Sequence, residues 1–283
     1  MEKFKAKVAP GHFTEKYTYV FVIGVALVCT ALMELLNFVA FKIGDSENIT
    51  YFFGALALSK IIVSVLLTVL VFKLCLVSKK DFGARGLWKG LLFGLPLLVF
   101  LSLVGDILTL LTSGKPYENA TLLTICLFLL KNFMIGYYEE VLCRGFMLNA
   151  LRNKYGDRGL LWAVLLSSFI FGLMHLIGVF GGAALVPTIS QAIYATFIGV
   201  FFCGVYIRVG NLWSVIIIHA LIDVTVFFSD IFTMGESVTD VAVESAQATS
   251  ALAEFLSPPA VVLPFALYGL FLIRKQLKGG KPQ

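Results

Sequence analysis

The sequence predicts an all-α, polytopic integral membrane protein, and three observations predict it. Of 283 residues, 59% are hydrophobic and 14% charged, with a mean hydropathy of +0.93, outside the usual composition of a soluble domain. Runs of about 20 apolar residues recur along most of the chain, each long enough to cross roughly 30 Å of hydrocarbon as a helix. The runs are continuous, so helices rather than a closed barrel satisfy the backbone in lipid.

Hydropathy gives eight spans: 17–43, 50–78, 87–113, 119–151, 159–178, 183–207, 211–233 and 251–273. The first follows a lysine-bearing N-terminus, so a cleavable signal is the alternative. Its length and the absence of a small-residue cleavage site favour a retained helix. Short loops join the first seven spans, and the acidic stretch GESVTDVAVESAQATSALAE separates the last two. There is no internal repeat. Residues 1–283 read as one membrane domain with a motif-bearing core at 119–233.

Basic residues near span ends are retained on the cytoplasmic side. Sixteen of them, among Lys3, Lys5, Lys7, Lys16, Lys79, Lys80, Arg85, Lys89, Arg152, Lys154, Arg158, Arg208, Arg274, Lys275, Lys278 and Lys281, fall in the N-terminus, alternate loops and the C-terminus. Only Lys42 and Lys115 fall in the others. This places both termini in the cytoplasm and makes the net charge of +5 an orientation signal rather than a sign of nucleic acid binding. The five cysteines, Cys29, Cys75, Cys126, Cys143 and Cys203, lie within predicted spans and read as buried free thiols.

An ionisable side chain at the centre of a membrane helix costs about 2.5–3.5 kcal/mol on insertion scales, so such residues usually face protein or water. Glu34, Lys60, Asp106 and Lys131 are scattered singly and read as interhelical pairs or snorkelling groups. The stretch YYEEVLCRGF is different. On a helix Glu140 and Arg144 share one face and can pair, while Glu139 points about 100° away. One carboxylate is neutralised and the other is left free as a base. Taken alone, the triplet reads equally as a structural charge cluster.

Two further stretches alter that balance. In SSFIFGLMHLIG, Phe171 and His175 are four apart; in WSVIIIHALIDV, His219 and Asp223 are four apart. The third histidine, His12, precedes the first span, so both others lie in predicted membrane helices. These motifs, Glu139-Glu140-x-x-x-Arg144, Phe171-x-x-x-His175 and His219-x-x-x-Asp223, with the approach GNLWSVIIIHALID, resemble the CAAX protease and bacteriocin-processing (CPBP, or Abi) family of membrane proteases, which includes the Rce1-type prenyl-protein endopeptidases. The resemblance covers residues 120 to 230. It implies an intramembrane hydrolase in which Glu139 activates water with help from His175, His219 and Asp223 stabilise the oxyanion, and Glu140, Arg144 and Phe171 support them. The family's motif also allows asparagine where this chain has Asp223. An ionised aspartate cannot donate to an oxyanion, so Asp223 either carries its proton or orients His219 as a triad carboxylate does; the orienting role is the favoured expectation.

Two histidines and a glutamate also make a zinc-like set with an open position. No His-Glu-x-x-His stretch is present and the ligands would come from three helices, so the expectation is no cofactor, with zinc as the alternative. The substrate class implied is a membrane-associated peptide, prenylated or bacteriocin-type. A non-enzymatic immunity or regulatory protein that binds a peptide is a competing reading, and a proton-coupled transporter is another, though inverted repeats are not evident. Asn48-Ile-Thr and Asn119-Ala-Thr leave the organism open; compact loops favour a prokaryotic plasma membrane. Straight helices counted from the predicted span ends set Glu139 and His175 at different depths. Tilt, or a break near Gly136 or Gly145, would reconcile them.

Overall fold

A helix that is apolar on every side needs protein on one face and lipid on the other. The computed structural model of the chain describes residues 17–45, 47–104, 121–228, 230–233 and 251–278, all in helices and short connections. Among them, six helices are long and apolar enough to cross a membrane, and two are shorter and apolar. The expectations placed on His12, Lys3, Lys5, Lys7, Lys16, Asp106, Lys115, Asn119, Lys281 and residues 235–250 lie outside the described residues.

In order these are α1 (Thr18–Ile43), α2 (Ile49–Lys73), α3 (Leu87–Val104), α4 (Leu122–Tyr155), α5 (Leu160–Met174, continued as a tighter 3-10 segment His175–Gly181), α6 (Leu185–Val209), α7 (Leu212–Val226) and α8 (Ala251–Leu272). Large apolar side chains such as Leu27, Val28, Leu66, Leu92, Trp162 and Phe169 remain exposed on their outer faces, as a lipid-facing surface requires. The larger of two buried clusters runs from Val22 in α1 through Phe146, Phe202 and Ile216 to Ile273 beyond α8, and a smaller one joins Ile49, Phe53, Phe128 and Ile231.

Small residues set the close contacts, as is usual where lipid leaves no hydrophobic force between helices. A Cβ at Gly136 of α4 would stand 2.8 Å from the Ala220 amide nitrogen and 3.1 Å from the Ile216 carbonyl oxygen, so α4 and α7 touch backbone to backbone there. Gly204 of α6 and Gly269 of α8 meet in the same way. Hydroxyls fix register: Thr50 with Thr124 at 2.7 Å and Thr68 with Tyr137 at 3.0 Å hold α2 parallel to α4. The α6–α7 turn is tied down by Asn211, which accepts from the Ser214 amide at 2.9 Å and donates from its side chain to the Gly83 and Arg85 carbonyls.

Several span expectations are corrected. α2 ends at Lys73, not 78, and Cys75 beyond it has a left-handed φ of 54° and is exposed, so this thiol is not buried in a span. Cys126 is exposed as well; Cys143 and Cys203 are buried and Cys29 is partly so, and all five are free. Lys42 belongs to the last turn of α1. α7 stops at Val226, followed by a short helix Asp230–Thr233, so the expected span 211–233 is not one helix. Its 15 residues cover about 22 Å. Ten of them are buried, because α7 is an interior helix wrapped by α3, α4 and α6.

Candidate active site

The centre is built at the level of Glu139 and Glu140 by α4, α5, α6 and α7. α4 does not break. It runs as an α-helix from Leu122 to Glu140, widens into a π-helix over Val141–Leu148, and resumes as an α-helix over Asn149–Tyr155. Of the two glycines named as break points, Gly136 is the contact with α7 and Gly145 lies inside the π segment. π-helical turns are rare and concentrate at functional sites; here the wide turn begins directly after the paired carboxylates.

Glu140 is the hub. Its Oε1 accepts from Arg144 Nη1 at 2.7 Å and from His219 Nδ1 at 2.7 Å, and neither Glu140 nor Arg144 is exposed at all. Arg144 also donates through Nη2 to the Gly199 carbonyl of α6 at 3.1 Å. Its guanidinium carbon lies 5.1 Å from the ring centres of both Phe171 and Phe202, a cation held between two aromatic faces. Gly199 packs on Ser168 of α5, where a Cβ would come within 2.9 Å of the serine side chain, and this closeness lets the α6 carbonyl reach Arg144.

A carboxylate only accepts, so the Glu140 bond fixes a proton on Nδ1 of His219 and turns Nε2 the other way. Nε2 stands 3.5 Å from Glu139 Oε2 and 3.8 Å from Asp223 Oδ1. Phe202 stacks on the ring at 5.2 Å and 19°, fixing its plane. The Glu139 side chain is 23% exposed, against none for Glu140, so the two neighbours in sequence occupy different environments.

The structure therefore brings Glu139, Glu140, Arg144, His219 and Asp223 together, with Phe171 packed against them. His175 lies one ring away: Phe171 stands edge-on to it at 5.0 Å and to His219 at 6.3 Å, and His175 makes no ion pair with the carboxylates. His175 Nδ1 donates to the Phe171 carbonyl at 3.1 Å. The depth mismatch expected between Glu139 and His175 does not arise. α4 and α5 form an antiparallel hairpin turning at Gly156–Gly159, and residues equidistant from that turn face one another, Arg144 beside Phe171 and hence Glu140 level with His175.

One expectation is corrected. The carboxylate that orients His219 is Glu140, bonded at 2.7 Å, and Asp223 sits at 3.8 Å from the opposite nitrogen. Reading the Glu140–Arg144 pair as a supporting shell missed this contact. Phe202 and Gly199 were also missed, since both stand in an unbroken apolar run with nothing local to distinguish them. Among the described residues no set of three His, Cys, Asp or Glu side chains stands in metal-ligating geometry.

A polytopic membrane protein whose interior holds a buried acid–imidazole centre is the class these observations define. Residues 121–225 match the family model of the type II CAAX prenyl endopeptidase Rce1-like proteins, and this segment carries every residue of the centre. The match makes the segment Rce1-like and supports a CAAX-type membrane protease. Comparisons with curated proteins and with solved structures return no match.

Proposed function

We propose that the protein is an intramembrane endopeptidase that hydrolyses a membrane-associated peptide with water activated by Glu139. The observation that carries this reading is the division of labour around His219: Glu140 pins Nδ1, and Nε2 faces a second, partly exposed carboxylate. In the reaction Glu139 takes a proton from water as the water oxygen bonds to the scissile carbonyl carbon. His219 enters the step as an imidazolium, protonated on both nitrogens and balanced by Glu140 and Asp223, and the developing oxyanion accepts from its Nε2–H. Glu139 passes its proton to the amide nitrogen as the carbon–nitrogen bond breaks. His175, whose Nδ1 proton is committed to the Phe171 carbonyl, offers the Nε2 lone pair to the attacking water. Glu140, Arg144 and Phe171 hold the imidazoles and the first turn of the π segment in place.

The Rce1-like match favours a peptide with a prenylated Cys-aliphatic-aliphatic-X tail over a bacteriocin-type leader. The basic loops favour both termini on the cytoplasmic side and the compact loops a prokaryotic plasma membrane; the topology can be read through exposed Cys75 in the α2–α3 loop with an impermeant maleimide. The deciding experiment incubates detergent-purified protein with a farnesylated tail peptide and with a leader peptide, with and without chelator. The tail peptide is cut, and Glu139→Gln lowers turnover by about 10²–10⁴-fold, the usual contribution of a positioned base. Wild-type turnover from Glu139→Gln overturns the mechanism, and loss of turnover with chelator moves it to a metal-assisted reaction.

A further inference from the structure

Lys60 is a charged residue in the membrane interior that this chemistry does not use. It lies on the stripe of α2 formed by Phe53, Ala57, Lys60, Ser64, Leu67 and Val71, all buried. The stripe faces α4, through Phe53 against Phe128 at one end and the adjacent Thr68–Tyr137 hydrogen bond at the other. Lys60 is only 8% exposed, yet among the described residues it makes no hydrogen bond and no ion pair within 4.0 Å. Ser64, one turn further along the stripe, has a buried hydroxyl oxygen that is likewise unpartnered.

Lys60 follows Phe53 by seven residues and precedes Thr68 by eight, so it stands about midway between their α4 partners Phe128 and Tyr137, roughly level with Asn132. Lys131 is then close to its own level, and Glu139 lies about 10 Å further along α4. The other buried interior cations are committed: Arg144 to Glu140 at 2.7 Å, and Lys131 to Asp230 at 3.4 Å. A buried ammonium with two or three unused donors is matched best by an anion carried in by a ligand.

Resting on the peptidase reading above, we infer that Lys60 binds the free α-carboxylate at the C-terminus of the peptide substrate. The span is suitable. Three extended residues beyond a scissile bond cover about 10 Å, which matches the rise of about 10 Å along α4 from the level of Lys60 to Glu139. The site thus measures the distance from the bond to the chain end, so that a peptide with a free acid at the correct spacing is held with its scissile carbonyl at Glu139.

The test uses farnesylated Cys-Val-Ile-Ser peptides that differ only in ending as the acid or the amide, with binding and cleavage both measured for the wild type, Lys60→Met and Lys60→Arg. In the wild type the acid is favoured over the amide by about 10- to 100-fold in Kd and in kcat/KM, the strength of one hydrogen bond to a charged group. That acid-over-amide ratio falls toward one in Lys60→Met and is partly restored in Lys60→Arg. A wild-type ratio of one, or a ratio that persists in Lys60→Met, overturns the assignment. So does a Lys60→Met that weakens acid and amide peptides alike with the ratio intact, which is the signature of a mere counter-ion to Glu139. Cleavage without acid preference sinks the anchor alone; acid-selective binding without cleavage sinks the peptidase reading alone; neither peptide binding sinks both.

Discussion

The two ends of the stretch of α4 that packs on α7 both bury charge, and they do so on different terms. At one end Arg144 has a carboxylate, a backbone carbonyl and two ring faces, and neither it nor Glu140 is exposed. At the other end Lys131 reaches Asp230 at 3.4 Å, ringed by Phe53, Phe128 and Phe227 at 5.0, 5.1 and 5.3 Å, and the Asp230 side chain is 29% exposed. Neither member of the first pair has exposed surface, so losing one leaves the other charged where bulk water does not reach. The second keeps one partner near the surface. Buried charge by itself therefore does not mark chemistry. What sets the first cluster apart is Glu139, partly exposed and 3.5 Å from an imidazole that Glu140 holds by its other nitrogen.

The largest effect should come from breaking the dry cluster. Arg144→Met takes the guanidinium from Glu140, leaving it His219 alone, and should cost about 3–5 kcal/mol of stability, read as a lower unfolding midpoint in detergent. Arg144→Lys should recover only part of this, because an ammonium cannot bond the carboxylate and the Gly199 carbonyl as a planar fork does. A midpoint unchanged in Arg144→Met would erase the distinction between the two ends. The adjacent carboxylates sharpen it. Glu140→Gln should cost about 3 kcal/mol for the same reason, whereas Glu139→Gln, at a partly exposed position, should shift stability by no more than about 1 kcal/mol while removing turnover. Equal destabilisation by the two would mean that Glu139 is as structural as Glu140.

A smaller effect is expected where the helices touch. Gly136→Ala puts a methyl group 2.8 Å from the Ala220 nitrogen, and backbone on both sides leaves nothing flexible to yield. Overpacking of this kind costs about 1–3 kcal/mol. Because Ala220 follows His219, the strain should also displace the imidazole from Glu139, so turnover should fall further than stability alone accounts for. Turnover that tracks stability would show that the α4–α7 spacing does not set the catalytic geometry.

Most of this architecture was legible because membrane helices announce themselves by composition, and the motif residues by their cost: Glu139, Glu140, Arg144 and His219 are expensive in lipid and so had to converge. What failed to show is what composition hides. The shortness of α7 is invisible in hydropathy, since its apolar run continues past Val226 into the turn before Asp230. The π segment leaves no trace in residue type, as Val141–Leu148 would suit an α-helix equally well. Phe202 is one phenylalanine among 26, distinguished only by lying over His219 and Arg144. The depth of His175 was misjudged because span ends were taken as fixed planes, where the hairpin turn at Gly156–Gly159 is the proper origin.

The smallest predicted effect tests the second end of the comparison. Lys131→Met keeps the length and apolar stem of the side chain and leaves it against three phenylalanine rings that welcome a thioether. Its partner Asp230 has 29% of its side chain exposed, so water can solvate the carboxylate once the ammonium is gone. An ion pair in that setting contributes about 0–1 kcal/mol, so the unfolding midpoint should move by little, in contrast to Arg144→Met. A loss as large as that of Arg144→Met would mean that the Lys131 end is closed to water, and that both clusters belong to one continuous charged interior running the length of α4.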